Sequence, residues 1–233
     1  NFGFSDDGGL AELGVWPASL CIPLPDNMTN EEAPLAEPTS VAVHAVENAK
    51  VTIGETAAVI GCGVVGLCTL QVLKAAGLNV IAIDPREQSL ALARELGALK
   101  TINPNDLDPE EILPGLTNGY GPDVIIETAG APGTGLDAAN WVRRGGRVVI
   151  VGFSHQDTIV NFGRAHMGEK TIMGSSATST GGYHKAVNLI ANGSVNVKPL
   201  ISAIVPLDRG IEDGFERMLK PEKDVYRILV GNG

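Results

Sequence analysis

The stretch Thr56-Ala57-Ala58-Val59-Ile60-Gly61-Cys62-Gly63-Val64-Val65-Gly66-Leu67 decides the fold. Its first half is a short apolar run, Thr56 to Gly61, of the length of a buried strand. Its second half opens a helical stretch from Gly63 to Ala76 that Gly77 ends. Between them stands a G-x-G-x-x-G string. Alone that string also serves plain turn geometry; entered by a strand and left by a helix, it is the dinucleotide-binding fingerprint. Gly61 permits the tight turn, Gly63 lets a pyrophosphate approach the backbone, and Gly66 lets helix and strand pack closely. The exposed N–H groups of Val64, Val65 and Gly66 at the positive end of the helix dipole then face the phosphates.

A second strand, Asn79 to Asp84, follows, and its last residue falls about 20 positions beyond the glycines, where the fingerprint expects an acid. A carboxylate there accepts from both adenosine ribose hydroxyls and repels a 2′-phosphate, so Asp84 favours NAD over NADP. Arg86, two residues later, pulls the other way, since a nearby Arg receives a 2′-phosphate. Asp84 before Pro85 also suits a helix N-cap. Ligands of open α/β sheets sit at the carboxyl ends of strands. Thr128-Ala129-Gly130 and Val151-Gly152-Phe153 are such ends, small enough to admit ribose and nicotinamide, and Ser175, Ser176 and Ala177 after a sixth strand are candidates for the nicotinamide amide.

Outward from this core, strand and helix alternate. Helices are expected over 86–96, 108–117, 134–142, 183–191 and 209–219. Strands are expected over 100–102, 123–128, 147–152, from 171, and over 224–230. The strands read as continuous Val and Ile runs, as parallel strands covered on both faces do. The expectation is an α/β fold with a doubly wound parallel Rossmann sheet. Residues 1–26 read as strand ends and turns, and 30–49 as a helix broken or kinked at Pro34 and Pro38. Ile201 to Val205 reads as an apolar strand near a sheet edge; such edges pair or need covering, which predicts a homodimer or homotetramer.

The 233 residues are 44% hydrophobic and 19% charged, an ordinary globular composition. With only 4% aromatics, the core must be mostly Val, Ile, Leu and Ala. A net charge of −10 argues against nucleic acid or an anionic membrane as partner. Three cysteines outside any Cys-x-x-Cys pattern suggest free thiols in a reducing compartment. With no membrane-length apolar run and no signal-peptide pattern, a cytoplasmic location is expected. None of His44, His155, His166 and His184 stands at a metal-ligand spacing.

Several stretches together resemble the zinc-type medium-chain dehydrogenases, especially the sorbitol, butanediol and threonine dehydrogenase branch. They are Asp7-Gly8-Gly9-Leu10-Ala11-Glu12, Leu24-Pro25-Asp26, Glu37-Pro38 with Val41-Ala42-Val43-His44-Ala45-Val46, Gly145-Gly146-Arg147-Val148-Val149, and Ser194 to Ile201 with Pro206-Leu207-Asp208. The resemblance implies hydride transfer between an alcohol or polyol and NAD, with a catalytic zinc that polarises the alcohol oxygen. It divides the chain into a remnant of a GroES-like catalytic domain and linker (1–40), the Rossmann domain (41–195), and a return segment (196–233) that completes the sheet and packs toward the catalytic domain. It places Glu37 at or beside the metal and Arg227 near the pyrophosphate. It also implies that the other zinc ligands lie upstream, outside this chain, and that this part alone is inactive. The start at Asn1 favours a fragment of a full dehydrogenase; the competing reading is an isolated module that binds NAD without catalysis. A zinc-independent reductase of the same superfamily is disfavoured by Glu37-Pro38 and by the glycine spacing of 61–66.

Overall fold

The computed structural model describes residue 3 and residues 6–220 and 225–231. Its centre is a six-stranded, wholly parallel sheet. In chain order the strands are β1 (Thr56–Ile60), β2 (Asn79–Ile83), β3 (Lys100–Ile102), β4 (Val124–Glu127), β5 (Arg147–Ile150) and β6 (Thr171–Gly174), and in space they run β3-β2-β1-β4-β5-β6. This is the doubly wound order whose direction reverses between β1 and β4.

Helices cover both faces: α1 (Ala36–Asn48), α2 (Val64–Ala75), α3 (Glu87–Glu95), α4 (Pro109–Leu116), α5 (Thr134–Trp141), α6 (Phe162–Met167) and α7 (Gly182–Ala191). Side chains alternate across a strand, and the core divides accordingly. Ala57, Val59, Val80, Ala82, Val124, Ile126 and Val149 face one layer with Leu67, Leu70 and Leu73 of α2 and Ala42, Val43 and Val46 of α1. Ala58, Ile60, Ile81, Ile83, Ile125 and Val148 face the other with Leu113 of α4 and Ala138 of α5. Both faces of β1 and β4 are therefore dry, which is why these strands read as unbroken apolar runs. α4 forms despite Pro114 because Asp108 caps it, accepting from the Glu110 N–H at 2.9 Å, with Pro109 in its first turn.

Four expectations need correction. Pro34 and Pro38 do not break the first helix. Pro34 lies in a 3₁₀ turn, Ala33–Leu35, and Pro38 falls in the first turn of α1, where its missing N–H has no intrahelical partner to lose. α1 also runs unbroken through the division expected at 40/41, and its buried residues belong to the Rossmann core. Of the strand ends expected in residues 1–26, the described part keeps a single β-bridge residue, Asp6, beside turns and a single-turn 3₁₀ helix, Ala18–Leu20. Finally, the return segment does not complete the large sheet. β7 (Ile201–Pro206) and β8 (Arg227–Gly231) pair with each other in parallel as a separate two-stranded sheet. Parallel strands need a crossover, supplied here by a 3₁₀ turn, Leu207–Arg209, a π-helical stretch, Gly210–Phe215, and α8 (Glu216–Leu219). The expected start of the last strand at Asp224 lies outside the described residues.

Candidate cofactor crevice

At the β1/β4 switch point a crevice of about 500 Å³ opens, lined by Ile60, Gly61, Gly63, Asp84, Arg86 and Thr128 among others. The three glycines of the turn behave differently. Gly61 has φ +92°, and a Cβ there would stand 2.8 Å from the Ala129 backbone N. A Cβ on Gly66 would lie 1.8 Å from the Gly61 carbonyl oxygen, so α2 and β1 approach too closely for any side chain. Gly63, at φ −76° and N-cap of α2, would meet nothing within 4 Å. The first two serve packing; the third leaves open space before the helix N-terminus. The Gly63 carbonyl accepts the first helical bond, from Leu67 at 2.8 Å, so Val64, Val65 and Gly66 keep N–H groups that the helix itself does not use.

Asp84 is 3% exposed and its carboxylate is already engaged. Oδ2 accepts from the Cys62 N–H at 2.7 Å, tying the acid to the glycine turn, and Oδ1 accepts from the Arg86 N–H at 2.8 Å. The Arg86 guanidinium reaches both oxygens, Nε to Oδ1 at 3.1 Å and Nη2 to Oδ2 at 3.2 Å. That contact holds the Arg86 pKa above its ordinary value. The acid is not a helix N-cap; Arg86 occupies that position before α3 and makes no side-chain cap. Asp84 and Arg86, weighed as opposing votes on the cofactor, thus form one ion pair on the crevice wall. Beside them the Cys62 thiol is pushed far above the usual range by burial and by the Asp84 charge.

The β4 exit supplies the opposite wall. The Thr128 hydroxyl donates to the Gly61 carbonyl at 2.8 Å. Ala129, Ala131, Thr134, Asp137 and Trp141 line the crevice beyond it. Burial, then the Glu110 and Asp108 charges, raise the Asp137 pKa. Val151, Gly152 and Phe153 follow β5, with Gly152 packed so closely on the β4 exit that a Cβ would sit 2.2 Å from the Gly130 N. Phe153 turns outward and is 82% exposed. Ser175, buried after β6, receives the Asn48 amide at 3.0 Å; Ser176 and Ala177 are exposed, Ala177 with φ +55°. None of these six lines the crevice itself.

Glu37 and Arg227 stand elsewhere. They form a half-exposed ion pair, Nη2 to Oε2 3.7 Å, on a largely apolar second pocket with Phe215, Met218 and Leu10. No crevice residue is shared with it. Among the described residues no group of three His, Cys, Asp or Glu is placed to hold a metal. Glu37 faces the Arg227 guanidinium, and no catalytic step through zinc follows from the described residues alone.

The acid missed in the sequence is Glu127, fully buried at the end of β4. A single carboxylate closing the run Val124-Ile125-Ile126 was the available signal, since buried acids are rare unless hydrogen-bonded.

A family of zinc-binding dehydrogenases matches residues 64–192, more than half of the chain and including most of the crevice lining. The chain belongs to this family. A D-xylulose reductase A from Aspergillus fumigatus is 35% identical over 230 residues, covering 97% of this chain and 64% of its own. Human sorbitol dehydrogenase is 35% identical over 218 residues, covering 92% and 60%. An Escherichia coli alcohol dehydrogenase solved with NADH superposes with a TM-score of 0.91 at 25% identity, covering 98% and 67%. The chain thus spans about three-fifths of the length of the curated relatives it matches. It corresponds to the cofactor-binding part of these zinc-binding dehydrogenases.

Proposed function

We propose that this chain is the cofactor-binding part of an NAD-dependent zinc-type dehydrogenase that oxidises a polyol or related alcohol. The observation that carries the reading is the crevice: three glycines in strand–turn–helix context, one of them, Gly63, open toward solvent before the α2 N-terminus. Gly63, Val64, Val65 and Gly66 would hold the pyrophosphate through backbone N–H groups. Asp84 with Arg86 would receive the adenosine ribose, and Thr128 to Gly130 with Val151 to Phe153 would flank the second ribose and the nicotinamide. When bound, the nicotinamide accepts or returns a hydride. The residues here bind and orient it and keep water from the crevice floor, which Ile60 and Ile83 make apolar.

NAD is proposed over NADP because Asp84 fixes a carboxylate at the wall where a 2′-phosphate would have to sit, and the Arg86 guanidinium is already spent on it. Ser175, Ser176 and Ala177 are assigned to the nicotinamide side, and Arg227 to the phosphates after displacement from Glu37. Glu37 is assigned to the metal side of the dehydrogenase; among the described residues no group of three His, Cys, Asp or Glu is placed to hold the zinc. The polyol substrate rests on the similarity to sorbitol dehydrogenase and D-xylulose reductase. A homodimer or homotetramer is proposed on the exposed Ile204 of β7, which pairs on one side only. Light scattering that finds only monomer contradicts it. A cytoplasmic setting is proposed on the three free thiols, Cys21, Cys62 and Cys68. Neither nucleic acid nor membrane is a proposed partner. No helix among the described residues is long and apolar enough to cross a membrane.

Titration with NAD and NADP in parallel tests this. NAD should bind at least about tenfold more tightly, one like-charge repulsion's worth; equal affinities overturn the NAD assignment. A non-catalytic NAD-binding module is the second reading, favoured by the absence of a metal cluster among the described residues. Tight zinc binding at one site of this chain would exclude it.

A further inference from the structure

The buried acid at the end of β4 has no place in the dinucleotide fingerprint, yet three walls of the crevice meet on it. Glu127 is 1% exposed and is the last residue paired on both sides, with Ile60 of β1 and Ile150 of β5. Its Oε1 accepts the Ala129 N–H at 2.8 Å and the Gly130 N–H at 2.8 Å, and shares the Thr134 hydroxyl proton, at 2.9 Å, with the Ala131 carbonyl at 2.8 Å. Its main-chain carbonyl accepts the Val151 and Gly152 N–H groups at 2.8 and 3.0 Å. Its Oε2 lies against Gly152, where a Cβ would approach to 2.6 Å.

The residues it orders are those that press on the glycine turn. Ala129 is the residue that excludes a side chain at Gly61, and Thr128 donates to the Gly61 carbonyl and would clash with any side chain on Gly66. Thr134 begins α5, which carries Asp137 and Trp141 to the far wall. Hydrogen bonds to an ionised acceptor are shorter and stronger than neutral ones. One oxygen that collects two backbone N–H groups and a hydroxyl therefore sets the loop more rigidly than main-chain pairing alone would.

We propose that Glu127 is the positioning residue of the cofactor crevice: its carboxylate shapes the 128–134 loop and, through Ala129 and Thr128, holds the glycine turn in its phosphate-receiving form. It does not itself line the crevice. The inference rests on the crevice being a dinucleotide site, but part of its test does not.

The experiment compares the wild-type chain with Glu127→Gln, Glu127→Met and Thr134→Val. Amide hydrogen exchange is read without ligand and NADH affinity is read by fluorescence titration. Glu127→Met, of similar length without an acceptor, should speed exchange both in 128–134 and in the glycine turn 61–66, more than sixty residues away in sequence. It should weaken NADH about a hundredfold or more, since several charge-assisted bonds are lost. Glu127→Gln keeps one acceptor oxygen and should recover most of the affinity, to within about tenfold of wild type. Thr134→Val loses one bond but itself lines the crevice, so it is read by exchange: faster exchange in 61–66 without ligand decides the matter if Glu127→Met does not fold. Exchange changes confined to 128–134 in either variant, or NADH affinity unchanged in a folded Glu127→Met, overturn the proposal. If the wild type binds no NADH, the cofactor reading has failed, and exchange in 61–66 still decides whether Glu127 positions the turn.

Discussion

The β1–β4 crevice and the β7–β8 face differ in how completely each is built. Around the crevice every close approach is filled: Gly61 against Ala129, Gly66 against the Gly61 carbonyl, Gly152 against Gly130, with Asp84 and Glu127 buried and hydrogen-bonded. On the β7–β8 side, Ile204, Ile211, Phe215, Met218 and Leu219 are all more than two-fifths exposed, as are Leu10, Leu13 and Val15 of the N-terminal stretch. The polar pair there, Glu37 with Arg227, is loose and half-exposed. A site whose parts are locked before a ligand arrives loses little freedom on binding. A face of exposed apolar side chains is suited to contact with another surface. On the proposed reading, the first is a binding site shaped before its ligand arrives and the second a surface for contact with a partner.

The sharpest way to break this contrast is at Gly66. Gly66→Ala forces a methyl into a backbone carbonyl, so the chain should lose roughly 3 kcal/mol or fail to fold. A thermal melt within a degree or two of wild type would mean the turn is looser than described. Next in size is the alkaline limb of stability. Burial pushes the Cys68 thiol from 9.0 up to about 11, and the Cys62 thiol moves the same way. A thiol with a raised folded pKa stabilises the fold fully below its unfolded pKa, and that stability is lost as pH rises through the folded value. The urea midpoint should therefore fall between pH 9 and 11, with Cys68 alone contributing about 2–3 kcal/mol. A midpoint flat across that range contradicts a dry α1–α2 interface. Gly63→Ala should leave the melt unchanged, because its Cβ meets only open space, yet weaken NAD about tenfold by intruding on the pyrophosphate. An unaltered affinity, read by calorimetry, would take Gly63 out of the site. The smallest effect is expected on the open face. Leu219→Ser should change stability by less than about 0.5 kcal/mol while reducing self-association in sedimentation. A large loss of stability would show Leu219 to be packed.

Most of the sheet was readable because its signals are local. Val59-Ile60, Ile81-Ala82-Ile83 and Val148-Val149 are apolar on both faces, and Gly77 and Gly97 end the helices before them, each with positive φ. The less legible features depend on contacts distant in sequence. Nothing local says that β7 pairs with β8 instead of extending the main sheet, since the apolar run Ile201 to Val205 names no partner strand. α6, at Phe162–Met167, escaped because it is only six residues long and buries none of them. Pro38 reads as a helix breaker until its position in the first turn is known. At the site, the glycine string and Asp84 were legible, whereas the engagement of Asp84 by Cys62 and Arg86 was not. Glu127 passed unremarked because its partners, Ala129, Gly130 and Thr134, matter only once the loop is folded back upon Gly61.

The central claim, that the β1–β4 crevice of this chain receives a nicotinamide dinucleotide unaided, is tested most directly by titrating the chain with NADH while exciting tryptophan. Trp141 lines the crevice and Trp16 lies in the N-terminal stretch. The account predicts saturable energy transfer to NADH, half-complete below about 1 mM, that is largely lost in Trp141→Phe and kept in Trp16→Phe. No saturation at millimolar NADH, or transfer undiminished by Trp141→Phe, would contradict it.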